Sequence, residues 1–254
     1  MSEIIAGSVQ RISLPVVDMV TQRLARLSET HSSAIHAAAE LFAGHIARGN
    51  LIHVFGAGHS HMLAEEVFFR AGGLLSFNAL LDPALMLHVS AMASGSVERI
   101  TEYAQILLDK YPIANEDAIL VISYSGINPV PVEVARICRG RGMKVVGLTS
   151  VEASQGSPAR HPSGQRLYDV ADIVLDNPGP IGDASLHIPG LDVAVCGLST
   201  ILGATILQSV VYETVARLHQ AGQQPPVLRS LNAHDDESVN ELLLNDYRFR
   251  LQHL

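Results

Sequence analysis

The chain has little that would tie it to a nucleic acid, a membrane or an oxidising compartment. Its 254 residues include two cysteines, and 17 Lys and Arg face 25 Asp and Glu, for a net charge of −8. That shortage of positive charge argues against nucleic acid or an anionic membrane surface as partner, since both call for a basic face. Cys138 and Cys196 fall in apolar helical patterns, so buried free thiols in a reducing cytoplasm are expected, not a disulfide. No basic segment followed by an apolar core and a cleavage site opens the chain, so no secretory signal is expected. Repeats, low-complexity tracts and a second core are absent from the pattern. Val193 to Tyr212 carries no charge and is long enough to cross a bilayer. Its Gly, Ala, Ser and Thr content, Gln208, and the flanking Asp192 and Glu213 mark it instead as a helix buried in the domain or at a subunit interface.

What is present is a globular composition, 48% hydrophobic and 17% charged, at a length that can bury one full α/β core. The most informative stretch runs from Ala118 to Pro129. Ala118-Ile119-Leu120-Val121-Ile122 reads as a strand buried on both faces. Ser123-Tyr124-Ser125-Gly126-Ile127-Asn128 then turns polar and small. Asn128 suits a helix N-cap, Pro129 the first helical position, and Val130, Val134 and Ile137 recur at helical spacing. Unsatisfied N–H groups at a helix start, with hydroxyls beside them, attract an anion, and a phosphate is the natural guest. A second copy lies upstream. Leu51-Ile52-His53-Val54-Phe55 is a strand, and Gly56-Ala57-Gly58-His59-Ser60 a small-residue turn into a helix.

As a pair, these turns, with Val145-Val146-Gly147-Leu148-Thr149 following the second, resemble the phosphosugar-binding segments of the sugar isomerase (SIS) domain over residues 40–220. Within that family the chain resembles N-acetylglucosamine-6-phosphate dehydratase-like proteins and, more distantly, N-acetylmuramic acid 6-phosphate etherases. The resemblance implies a phosphosugar ligand held by Gly58, His59, Ser60, His61, Ser123, Tyr124, Ser125 and Asn128, with no cofactor. It also implies a homodimer in which Asn240, Tyr247 and Arg248 reach a neighbouring site. Asn128 stands where the family usually has Thr, so that contact would differ.

Short apolar strands alternate with helices, the mark of a doubly wound, flavodoxin- or Rossmann-like parallel sheet. The expected organisation is a helical extension over residues 1–48, the SIS domain over 49–221 and a second helical extension over 222–254. Residues 1–14 read as an arm, and 15–48 as helix with a break near Ser32-Ser33. Residues 83–96 are left unassigned, as a candidate segment over the site, and helices are expected over 97–111, 191–218 and 236–251.

Several carboxylates and histidines are candidates for chemistry. Glu65 and Glu66 lie one to two turns past Ser60, and helical geometry turns only one of them toward a ligand. Glu66, on the stripe with Met62, Phe69 and Arg70, is favoured as base. Glu98, with Glu102 one turn later, supplies a second acid, and His187 precedes the long helix. A Rossmann dinucleotide site is disfavoured because His61 stands where its third glycine would fall, and no Gly-Lys-Ser/Thr phosphate loop supports a kinase. His59 and His61 with Glu65 lack a further ligand in register, so no metal is expected. The resulting expectation is a lyase that removes the C2 proton of an N-acetylhexosamine 6-phosphate and expels the 3-substituent. An aldose–ketose isomerase or a non-catalytic phosphosugar sensor are the alternatives.

Overall fold

Five of the apolar runs pair side by side in a computed structural model of the protein, which describes residues 14–230, 232 and 238–254. They are β1 (Ile52–Gly56), β2 (Phe77–Leu80), β3 (Ala118–Ile122), β4 (Lys144–Thr149) and β5 (Ile173–Asp176), all parallel, in the order β2-β1-β3-β4-β5. Ile52 lies opposite both Phe77 and Ala118, and Gly56 opposite Ile122. Side chains alternate between two cores: Val54, Leu120 and Ile122 face one, and Phe55, Ile119 and Val121 the other. Both faces are covered, which is why the runs are apolar throughout.

On the first face lie α2 (Ser32–Ala47), α3 (Ser60–Val67) and α9 (Ser199–Gln220), packing Phe42, Leu63 and Ile206 into the core. On the second lie α5 (Tyr103–Leu108), α6 (Pro129–Gly140) and α8 (Leu167–Val170), with Leu107, Val134 and Leu167. Helix α1 (Pro15–Thr30) precedes α2, and the break between them falls at His31. Helix α4 (Leu87–Val97) joins the second strand to the second face, and α7 (Val151–Gln155) follows β4. A hairpin of β6 (Ala184–Leu186) and β7 (Val195–Gly197) crosses to α9, and α10 (Ser238–Tyr247) is the last helix among the described residues.

Several expectations are corrected. Residues 83–96, left unassigned, hold a 3-10 turn over Pro83–Leu85 and most of α4, which has an extended residue at Ser90. The helix expected over 97–111 is reduced to α5, because α4 already ends at Val97 and the chain tightens into turns, with Arg99 N donating to Ser96 O (3.2 Å) and Ile100 N to Val97 O (2.9 Å). Helix α9 begins at Ser199, not near 191, because the Asp183 carboxylate accepts from Leu198 N (3.0 Å) and Ser199 N (2.9 Å) and fixes the start there. Cys196 consequently sits in β7, exposed and at φ +65°, while Cys138 is buried in α6 as expected. Of the expected arm only Leu14 lies within the described residues, and Asp236 and Glu237 of the last helix lie outside them. No helix among the described residues is long and apolar enough to cross a membrane.

The amino-terminal edge of the sheet is sealed. His53, fully buried on β1, sets Nε2 3.0 Å from Asp117 Oδ2, and its Nδ1 accepts from Asn78 Nδ2 (3.1 Å). Asp117 also accepts from Leu51 N (2.7 Å) and Ala114 N (3.1 Å). Burial pushes its carboxyl up, but the hydrogen bonds outweigh burial and hold it below its ordinary value. The carboxyl-terminal segment closes this edge, with Leu251 on Leu51 and Leu75, and Tyr247 Oη 2.9 Å from Ser76 Oγ.

Candidate functional site

The carboxyl edge is built differently. Strand order reverses between β1 and β3, and in open α/β sheets that switch point opens a crevice at the strands' carboxyl ends. Both small-residue turns leave the sheet there, from adjacent strands in register.

In the first turn Gly56 is required by close approach, since a Cβ there would lie 2.3 Å from the carbonyl oxygen of Ser60. Gly58 sits at φ +58° and donates its N–H to Leu85 O (2.9 Å). Ser60 opens α3, half-buried, and its hydroxyl makes no hydrogen bond among the described residues. His59 is exposed, and His61 is buried with Nδ1 donating to the Gly58 carbonyl. The other nitrogen of His61 stands 3.8 Å from Glu65 Oε2, and its ring 6.0 Å from that of His88.

In the second turn Ser123 donates its N–H to Leu148 O (3.0 Å), and its hydroxyl accepts from Gly126 N (3.2 Å). Tyr124 donates from its hydroxyl to Pro180 O (2.7 Å), and burial pushes that phenol's pKa up. Ser125, half-buried, makes no side-chain hydrogen bond among the described residues. Ser60 and Ser125 are thus two hydroxyls beside helix starts, available to an anion.

Asn128 occupies the N-cap position of α6, but its side chain does not cap. Its Oδ1 accepts from Arg160 Nη1 (2.8 Å), and its amide hydrogen-bonds Glu98. Val130 N donates to Glu98 O (3.0 Å), fastening the end of α4 to the start of α6. Burial raises the Glu98 carboxyl above its ordinary value, against the Asn128 hydrogen bond and the positive charge of Arg160. A carboxyl that holds its proton to higher pH is suited to general acid–base work.

The crevice is lined by His59, Ser60 and Leu63 on the first side and Ile122 and Tyr124 on the second, with Leu148 between. Asn177, just past β5, and Ser199 and Thr200 at the start of α9 close it. Its free volume is about 10 Å³, the space of one water. The segment that follows Asn177 is held by Tyr124 Oη donating to Pro180 O and Ser150 Oγ donating to Gly179 O (2.9 Å).

The sequence-derived candidates therefore separate. His59, Ser60 and Tyr124 line the crevice; Gly58, His61, Ser123, Ser125 and Asn128 lie in the same two turns without lining it, and Glu98 is joined to Val130 and Asn128 at the start of α6. Glu65 faces His61. Glu66 turns away, its Oε1 accepting from Arg70 and from Gln208 Nε2 (3.0 Å) on α9. His187 is exposed at the tip of the hairpin, beyond β6. Arg160 and Asn177 were missed. Asn177 follows β5 in what reads as an ordinary polar turn, and the β4–β5 pairing brings it to the crevice, whereas Arg160 comes after α7 and reaches Asn128 at the start of α6. Among the described residues no three His, Cys, Asp or Glu side chains converge as metal ligands.

The SIS domain family matches residues 17–150. The UPF0309 protein of Caldanaerobacter subterraneus subsp. tengcongensis is 40% identical over 241 residues, 94% of this chain and 98% of that protein. A UPF0309 protein of Halalkalibacterium halodurans is 40% identical over 224 residues, 88% and 93% of the two chains. Among solved structures, a phosphoheptose isomerase from Francisella tularensis shares the fold at a TM-score of 0.50 and 17% identity, over 80% of this chain and 95% of that one.

Proposed function

This chain belongs to the SIS-domain family and, by similarity over nearly its whole length, to the UPF0309 proteins; from that premise we propose that it is a phosphosugar lyase acting on an N-acetylhexosamine 6-phosphate. The observation that carries the reading is that two hydroxyl-bearing strand-to-helix turns, with Ser60 opening α3 and Ser125 preceding α6, leave adjacent strands at the β1/β3 switch point. The second turn takes the phosphate, and the sugar extends toward the first.

In the ring-opened sugar the C2 proton is acidic because the aldehyde holds the resulting charge as an enolate. A carboxylate removes it, with Glu65 beside His61 nearer the first turn than the Arg70-bound Glu66. Glu98 delivers its proton to the 3-oxygen as the C3–O bond breaks, releasing water or an ether's alcohol and leaving a C2–C3 double bond. The desolvation of Glu98 supports that acid role.

An aldose–ketose isomerase is the second reading. Among the described residues Glu98 is the one carboxyl beside the turns whose pKa burial raises, and moving a proton from C2 to C1 needs a single such group. Incubation with N-acetylglucosamine 6-phosphate and, separately, with glucose 6-phosphate, each followed by mass spectrometry, separates the outcomes. Loss of water from the N-acetyl sugar supports the lyase, unchanged mass with a new ketose from the 2-hydroxy sugar supports the isomerase, and binding without turnover of either overturns both. We propose in addition a homodimer through α1 and α9, where Val16, Val17 and Tyr212 are exposed beside a groove lined by Leu24, Leu27 and Ile35. Light scattering on the purified chain tests it, and a monomer at micromolar concentration overturns it.

A further inference from the structure

A phosphate at the second turn meets a helix start with no free N–H. Pro129 and Pro131, at the first and third positions of α6, lack that group altogether. Val130 N, between them, donates to Glu98 O (3.0 Å). The donors that a helix start ordinarily leaves unsatisfied are therefore missing or used. Asn128 is engaged as well, between Arg160 and Glu98. In the turn itself the Ser125 N–H and hydroxyl and the Ile127 N–H have no partner among the described residues. Those donors are neutral, and the chain as a whole carries a net charge of −8. An anion here calls for a local positive charge.

Arg160, in the loop between α7 and α8, is the one cation bonded to this turn among the described residues. Its backbone N–H donates to Ile127 O (3.1 Å) and its Nη1 to Asn128 Oδ1 (2.8 Å). The side chain is exposed, and among the described residues its other guanidinium N–H groups have no acceptor and no carboxylate pairs with it. Arg166 of the same loop differs, with Nε donating to Ser154 O (2.9 Å) and Nη2 to Ser157 O (2.9 Å). Glu98 lies across Asn128, in surroundings that disfavour its charge, so it does not cancel the guanidinium. We infer that Arg160 is the residue that recognises the phosphate, its free N–H groups pairing with phosphate oxygens beside Ser125. A guanidinium presents such groups as a fork that matches two phosphate oxygens at once. The inference rests on the phosphosugar reading above and deepens it, giving selection of the charged end to the α7–α8 loop in place of the α6 dipole.

Calorimetric titration of the purified chain with inorganic phosphate, at fixed ionic strength, tests it. Arg160→Gln keeps an amide for Asn128 but no charge, and weakens binding about 10- to 100-fold with little change in melting temperature. Arg160→Lys keeps the charge without the fork and falls between wild type and Arg160→Gln. Should Arg160→Gln fail to fold, Arg160→Lys decides alone, with an expected loss of at least about threefold. Wild-type affinity in Arg160→Gln, or in Arg160→Lys where it alone folds, overturns the assignment, and the turn's phosphate site still stands if Ser125→Ala weakens binding. A wild type with no affinity for phosphate overturns both.

Discussion

The two edges of one sheet are finished in opposite ways. At the amino-terminal edge, His53, Asp117 and the N–H groups of Leu51 and Ala114 satisfy one another, and Leu251 and Tyr247 cover them. At the carboxyl edge, the Ser60 and Ser125 hydroxyls and Asn177 Oδ1 have no hydrogen-bond partner among the described residues, whereas at the sealed edge Asn78 Oδ1 alone is left so, and Glu98 is held in an environment that disfavours its charge. The first arrangement stabilises the fold, and the second holds groups ready for something else. Substitutions at the first edge should therefore move stability without moving ligand affinity, and those at the second edge the reverse.

The largest effect is expected at the sealed edge. Asp117→Ala leaves His53 and two backbone N–H groups without their acceptor and lowers unfolding free energy by about 3–5 kcal/mol in urea titration. Phosphosugar affinity of the folded fraction stays within about twofold. The pH dependence has a definite sign: because Asp117 is depressed in the fold, its contribution is complete above the ordinary 3.8 and is lost as pH falls through the lower folded value. The gap between wild type and Asp117→Ala therefore narrows on acidification.

Glu98→Gln is the inverse case. Turnover falls about 100-fold or more, as for loss of a general acid, while the melting temperature at neutral pH rises. A raised carboxyl penalises the folded state once ionised, so the gain disappears as pH drops below the folded pKa and Glu98 takes up its proton. A variant that loses activity and stability together would erase the contrast between the edges. Next in size, Ser125→Ala should weaken inorganic phosphate binding about tenfold with little change in melting temperature, as expected for one hydrogen bond to a charged ligand. Smallest is Gly58→Ala: nothing crowds a Cβ there, so the expected loss is about 1 kcal/mol from φ +58°, read by thermal unfolding.

The contrast also separates what was legible in the sequence from what was not. Both turns could be read because strand, small-residue turn and helix start are contiguous, and each carries its own signal in β-branched runs, glycines and Pro129. The doubly wound sheet followed from the same alternation. Helix α4 escaped because Met, Ala, Ser and Gly give it almost no apolar face and Ser90 departs from helical geometry. The start of α9 was misplaced because its cap, Asp183, lies 16 residues upstream across a hairpin. Asn128 was read as a phosphate donor from its N-cap position, yet tertiary closure with Arg160 and Glu98 claims its amide. The choice of Glu66 over Glu65 rested on helical phase, and that stripe points to Gln208 on α9, a partner that no local pattern contains.

The account stands most directly on an NMR titration of the labelled protein with N-acetylglucosamine 6-phosphate and, separately, unphosphorylated N-acetylglucosamine. It predicts that the phosphorylated sugar alone shifts the amides of 56–60 and 123–128 together, with one affinity for both segments. Shifts confined to one segment, shifts elsewhere, or equal responses to both sugars would contradict it.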